Sequence, residues 1–164
     1  MPSLFSRITG FAKAHQNVLW AFAGILLLDR FTKVWALAAL AQKPVELFPF
    51  FHLHYVENTG AAFGMFQNGN TLLIGVMLAV IIYILYSWRE LCVYGAAVKW
   101  GAVFILAGAF GNLYDRITLG FVVDFLDFRV WPVFNVADSF ITIGACLFGW
   151  SLIQNTFRKK TEEK

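Results

Sequence analysis

Asp124 and Asp138 are the residues of this sequence whose type and setting best suit chemistry. Asp124 lies in the apolar segment Gly120-Phe121-Val122-Val123-Asp124-Phe125. Asp138 lies in Phe134-Asn135-Val136-Ala137-Asp138-Ser139, across a short connection. Two carboxylates brought together at a water-accessible site share one proton, because a like charge nearby strongly raises one pKa. The ionised partner can take a proton from water while the protonated one polarises a carbonyl. That is equipment for hydrolysing a peptide without a metal or a covalent nucleophile. Spacing alone leaves Asp127 as a rival, read here as a solvated loop acid.

Other polar residues sit in stretches that are otherwise apolar. Asp29 and Lys33 are one helical turn apart and can pair on one face. Gly108, Asn112 and Arg116 recur at the same interval and form a stripe of close approach, amide and bidentate fork. Asn135 shares a face with Asp138. Ionisable groups inside a bilayer cost roughly 2.5–3.5 kcal/mol each on insertion scales, so they need partners and usually a function. For each group, plain helix-to-helix glue remains an open alternative. Arg30 points elsewhere on its helix and is assigned no role, and Asp115 is read as pairing only locally with an Arg. His52 and His54 read as surface or interfacial residues. No His/Cys metal spacing, nucleophile elbow or phosphate-cradling Gly loop occurs, so neither metal nor cofactor is expected.

The elements that must carry these residues follow from composition. Of 164 residues, 59% are hydrophobic and only 14% charged, against about 45–50% and about 25% in soluble domains. Too few charges remain to coat a water-facing surface, which excludes disorder and an ordinary soluble enzyme. Four stretches approach the roughly 20 apolar residues that a spanning helix needs: Val18–Leu40, Thr71–Trp88, Val98–Ile117 and Trp131–Ile153. The expected fold is all-α and membrane-embedded, one domain over residues 1–164. By helical rise, Asp138 lies roughly 8 Å inside the fourth span and Asn112 roughly 21 Å from the start of the third. Both estimates converge on the same leaflet.

Arg7, Lys13, Arg89, Lys99, Arg158, Lys159, Lys160 and Lys164 fall on one side of these spans, against Lys43 and Arg129 in loops on the other. The positive-inside rule therefore puts both termini in the cytoplasm and loops 41–70 and 118–130 outside. The basic residues do not line one amphipathic face, so no nucleic-acid partner is expected. Ala36-Leu37-Ala38 would suit signal cleavage, but Asp29, Arg30 and Lys33 interrupt the run before it, so the first segment reads as a retained span. Val45–Val56 reads as one or two short strands, and residues 60–66 as a short interfacial turn or helix. Residues 154–164 form a charged tail, and Cys92 and Cys146 read as small buried hydrophobes.

Five segments in this order resemble the bacterial lipoprotein signal peptidases (type II signal peptidases) over nearly the whole chain. They are Asp29-Arg30-Phe31-Thr32-Lys33, Asn58-Thr59-Gly60-Ala61-Ala62-Phe63-Gly64, Gly111-Asn112-Leu113-Tyr114-Asp115-Arg116, Val122-Val123-Asp124-Phe125 and Phe134-Asn135-Val136-Ala137-Asp138-Ser139. The resemblance implies an aspartyl endopeptidase of the bacterial cytoplasmic (inner) membrane with Asp124 and Asp138 as its dyad. Its substrates would be diacylglyceryl-modified prolipoproteins, cut just before the lipidated lipobox Cys. Membrane lipids would surround it and globomycin would inhibit it. Asp29, Lys33, Asn58, Gly108, Asn112, Arg116, Asn135 and Ala137 match positions with which the family binds substrate or supports the site. Four transmembrane helices with a small outward β-cradle and loop between the first two are implied, with the site near the outer leaflet. Arg30 departs from the family's usual Gln.

Two other classes compete. A magnesium-dependent phospholipid-head-group transferase would share the start of its acidic run with Gly120-x-x-x-Asp124, but the next acid would fall on Phe128 and the upstream Asp-Gly is missing. A small transporter would use Asp29, Lys33 and Arg116 along a pathway, without any evident inverted repeat.

Overall fold

The computed structural model describes residues 15–60 and 69–162, with side chains to residue 154. The expected turn or helix at 60–66 therefore lies almost wholly outside the described residues, as do Arg7 and Lys13. Helix α1 covers Gln16–Leu40, α2 Asn70–Tyr86, α3 Trp88–Val93, α4 Ala96–Thr118 and α5 Val136–Glu162. Strands β1 (Val45–Phe48), β2 (Phe51–Asn58) and β3 (Val122–Asp127) form one antiparallel sheet in that order.

The first and third expected spans match α1 and α4 to within two residues at each end. The second ends earlier than expected. Ser87 closes α2, and a short α3 follows. The fourth begins later, because Trp131–Phe134 is apolar but not helical, with Phe134 bridging to Leu126 of β3. Helix continues through the expected tail to Glu162. The sheet is also larger than a hairpin between two helices: β3 joins it from beyond α4. Cys146 is exposed on α5, not buried.

Helix α4 is the central rod, touching all four other helices or their flanks. Val98, Ala102, Leu106, Ala109 and Leu113 pack with Ile81, Ile84 and Leu91 of α2 and α3. On another side α4 meets α5 at backbone distance. A Cβ on Gly101 would stand 2.8 Å from the Gly144 carbonyl oxygen, and one on Gly108 would collide with that of Ala137. Elsewhere the helices present large apolar side chains outward, among them Leu27, Phe31, Ile82 and Leu152. Among the described residues two helices, α4 and α5 as far as Gln154, are long and apolar enough to cross a membrane. Helix α2 is 17 residues long, and α1 carries three charges, Asp29 and Lys33 buried on its inner face and Arg30 partly exposed.

Candidate active site

The start of α5 organises the site. Asn135 precedes the helix, and its Oδ1 accepts the Asp138 N–H at 2.9 Å while Asp138 Oδ2 accepts the Asn135 N–H at 3.3 Å. This reciprocal pair is a capping box built with Asp in the third helical position. Asp138 thus belongs to the first turn of α5 rather than the interior of a span. Asp29 reaches across from α1 to accept the Ala137 N–H at 2.9 Å, placing a negative charge where a helix N-terminus favours one. Ala137, fully buried, can be no larger because Gly108 and Gly111 lie against it. A Cβ on Gly111 would stand 2.5 Å from Asp29 Oδ2.

Asp124 arrives on β3. Its register partner is Val56, which places Asn58 diagonally on the same face of the sheet. Asn58 Nδ2 donates to Asp124 Oδ2 at 2.8 Å, and Asn135 Nδ2 donates to Asp124 Oδ1 at 2.6 Å. Asn112 Nδ2 donates to Asp138 Oδ1 at 2.7 Å. Asn112 Oδ1 in turn accepts from Lys33 Nζ at 2.8 Å and from Asn135 Nδ2 at 3.2 Å. The two carboxylates are therefore held by one amide network, with Asn135 bonded to both. Burial, then the neighbouring negative charge of Asp138, pushes the Asp124 carboxyl up to about 7, against the pull of its two asparagine donors and Lys33.

The expected pair of Asp29 and Lys33 forms at 2.9 Å, and Lys33 also meets Asp115 at 3.0 Å. Arg116, almost fully buried, donates from Nη2 to the Gly60 carbonyl at 2.6 Å and from Nη1 to Asn70 Oδ1 at 3.3 Å. Its Nε has no acceptor among the described residues. A cavity of about 840 Å³ opens here, with Asn112, Arg116 and Asp138 on its polar side and residues such as Leu73, Phe128 and Ile141 on its apolar walls.

Three expectations are corrected. Asp127 is no solvated acid: it is 5% exposed, and it accepts the Arg129 N–H at 2.8 Å and Arg129 Nη1 at 3.3 Å. This holds Arg129 at φ 65° and turns the chain toward Trp131. Arg30 does have a partner, donating to Asp115 at 2.7 Å and lying 4.9 Å from the Tyr114 ring centroid. Asp115 pairs across the fold, not locally. Asn70 and Gly111 are site neighbours that helical periodicity does not single out, whereas Asp115 falls three positions past Asn112, near the stripe. Gly111 and Asp115 both lie in the Gly-Asn-Leu-Tyr-Asp-Arg segment.

A helical core with apolar faces turned outward, carrying two linked carboxylates beside a largely apolar cavity, is the architecture of an integral membrane enzyme. Known proteins agree. Residues 21–154 match the family described as signal peptidase (SPase) II. The lipoprotein signal peptidase of Caldanaerobacter subterraneus subsp. tengcongensis is 47% identical over 136 residues, covering 80% of this chain and 92% of that one. That of Alteromonas mediterranea is 34% identical over 161 residues, covering 93% and 88%. A bacterial membrane enzyme solved by the in meso method superposes with a TM-score of 0.78 at 26% identity, covering 88% of this chain and 92% of its own. The chain belongs to the signal peptidase II family, and it is a peptidase.

Proposed function

We propose that this chain removes the signal peptide from prolipoproteins bearing a diacylglyceryl group, cutting just before the lipidated Cys, with Asp124 and Asp138 as the catalytic dyad. The observation that carries this reading is the single amide network joining the two carboxylates at the polar end of an apolar cavity. The pair shares one proton and titrates as a unit. Its ionised member takes a proton from water as the water oxygen attacks the scissile carbonyl, and its protonated member donates to the carbonyl oxygen. Collapse of the tetrahedral intermediate returns a proton to the departing amine. Arg116 Nε, without an acceptor among the described residues, suits a substrate carbonyl, and the apolar walls suit a signal peptide and acyl chains.

Asn58, Asn112 and Asn135 orient the dyad, supported by Asp29, Lys33, Gly108 and Ala137. Helices α1, α2, α4 and α5 serve as four spans of the bacterial cytoplasmic membrane in a single domain. Both termini lie inside, the sheet lies outside, and the dyad lies near the outer leaflet. Membrane lipids flank the outward apolar faces, and globomycin is the expected inhibitor. A Lys160→Cys variant should resist a membrane-impermeant thiol reagent in intact cells, and labelling from outside would reverse this orientation.

The head-group transferase is disfavoured by Phe128, where its next acid would stand. That ring packs between Phe51, tilted at 4.6 Å, and Phe134, stacked at 5.9 Å between centroids. The deciding experiment is cleavage of a purified diacylglyceryl prolipoprotein in lipid with excess chelator. Release of the signal peptide at the parental rate is expected, and a strict requirement for added magnesium would overturn the reading.

A further inference from the structure

Asp115 is fully buried on α4, and three donors from two other elements converge on it. Arg30 Nη1 and Lys33 Nζ reach it from α1 at 2.7 and 3.0 Å, and the backbone N–H of Val123 reaches it at 3.3 Å. The last contact leads to the chemistry, because Val123 immediately precedes Asp124. Among the described residues, strand β3 is an edge of the sheet, with β2 on one side and no strand on the other. Further along, its free edge is covered by the Phe134 carbonyl, which accepts the N–H groups of Phe125 and Leu126 at 3.0 and 2.8 Å. At Val123 the Asp115 carboxylate supplies the acceptor that a further strand would otherwise provide.

We propose that Asp115 is a positioning residue for peptide cleavage, clamping the β3 backbone at Val123 to the cations of α1 so that Asp124 is held facing Asp138. The proposal rests on the reading of Asp124 and Asp138 as the dyad. Only an ionised carboxylate meets the geometry: an Asn has one acceptor oxygen, and its own N–H groups would oppose an ammonium, a guanidinium or a backbone N–H. Arg30 completes the clamp from the surface. Its side chain is 39% exposed, so it can be changed without opening the core.

The test is the kinetics of Asp115→Asn and Arg30→Gln in lipid, with kcat, KM and the pH profile measured together. Asp115 is faced by Asp29, Arg30 and Lys33 of α1, Tyr55 of β2 and its helix neighbour Arg116. Removing its negative charge leaves Lys33 less opposed, so the alkaline limb, set by proton loss from the dyad, should move to lower pH by about half a unit. Turnover should fall about 10–100-fold with little change in KM. Arg30→Gln removes a positive charge and should shift the limb the opposite way, by less because of solvent screening, with a smaller loss of turnover. A smaller folded fraction would move neither limb. Should Asp115→Asn fail to accumulate, Arg30→Gln decides alone. Parental turnover and pH profile in the surviving variants, beside an inactive Asp124→Asn, would overturn the clamp and leave the dyad standing. An active Asp124→Asn would overturn the dyad instead.

Discussion

The two halves of α4 are held by different forces. Its first half presents Val98, Ala102 and Leu106 to Ile81, Ile84 and Leu91, with no polar partner among them. Its second half presents Asn112, Asp115 and Arg116, each nearly or fully buried and each bonded to groups on other elements. In lipid, apolar contact gains little from leaving the solvent, so the first half is held by shape and dispersion. In the second half, removing one partner strands another buried charge or amide. One half should therefore tolerate truncation in function, and the other should not.

The sharpest break of that contrast is the dyad. Asp124→Asn and Asp138→Asn should each lower turnover by about 10³-fold or more, with the double variant no worse, since residues acting as a unit are not additive. Each variant should still insert and accumulate. Asp124→Asn should also change stability in a defined direction. Its carboxyl is held at about 7, first by burial and then by Asp138, against about 3.9 when unfolded. The folded state therefore binds the proton more tightly. That stabilisation is complete below about pH 4 and is lost as pH rises through about 7. The parental Tm should fall between about pH 4 and about pH 7, and the Asn variant, with no proton to lose there, should fall less. Equal slopes would mean that Asp124 is not the titrating group.

Next come Asn112→Ala and Arg116→Ala, expected to cost about 10–100-fold in kcat/KM. Asn112 joins Lys33 to Asp138, so its loss should act on kcat. Arg116 grips Gly60 and lines the cavity, so its loss should act more on KM. Parental activity in both would reduce the stripe to helix packing.

These linked residues were legible in the sequence to an unequal degree. Lys33 follows Asp29 by one turn, and Gly108, Asn112 and Arg116 share one face, so helical periodicity found both sets. Strand β3 is hidden from periodicity, because Val122, Val123 and Phe125 are buried on both faces and give no alternation. Apolar content puts the start of α5 at Trp131, five residues before Val136, because Trp131–Phe134 is as apolar as a helix, although Pro132 and Asn135 mark an irregular approach and a cap. Arg30 and Asp115 lie 85 positions apart. No local period connects them, and only the packing of α1 on α4 reveals the pair. The resemblance supplied Asn58, whose partner lies on another strand.

Asp127→Asn should be milder. The amide oxygen can still accept the Arg129 N–H, while the ionic contact to Nη1 is lost. The turn it holds leads to Val130 and Trp131 on the cavity wall, so KM should rise a few-fold with kcat near parental. A dead Asp127→Asn beside a parental Asp124→Asn would exchange their roles.

The smallest effect on turnover is expected from Leu106→Ala, at the centre of the apolar half. Leu106 is 5% exposed, and it already borders an apolar cleft of about 420 Å³ between α1, the α2–α3 junction and α4. In a water-soluble core such a truncation costs about 2–5 kcal/mol, part of it transfer energy and part the cavity left behind. In a bilayer the transfer part largely vanishes, because lipid is as apolar as leucine. The remaining packing loss should be about 2 kcal/mol, read as a lower Tm in lipid. No hydrogen bond connects Leu106 to Asn112 or the dyad, so kcat and KM below the melting range should stay within about two-fold of parental. A kcat loss as large as that of Asn112→Ala would mean that the shape of α4's first half reaches the carboxylates after all.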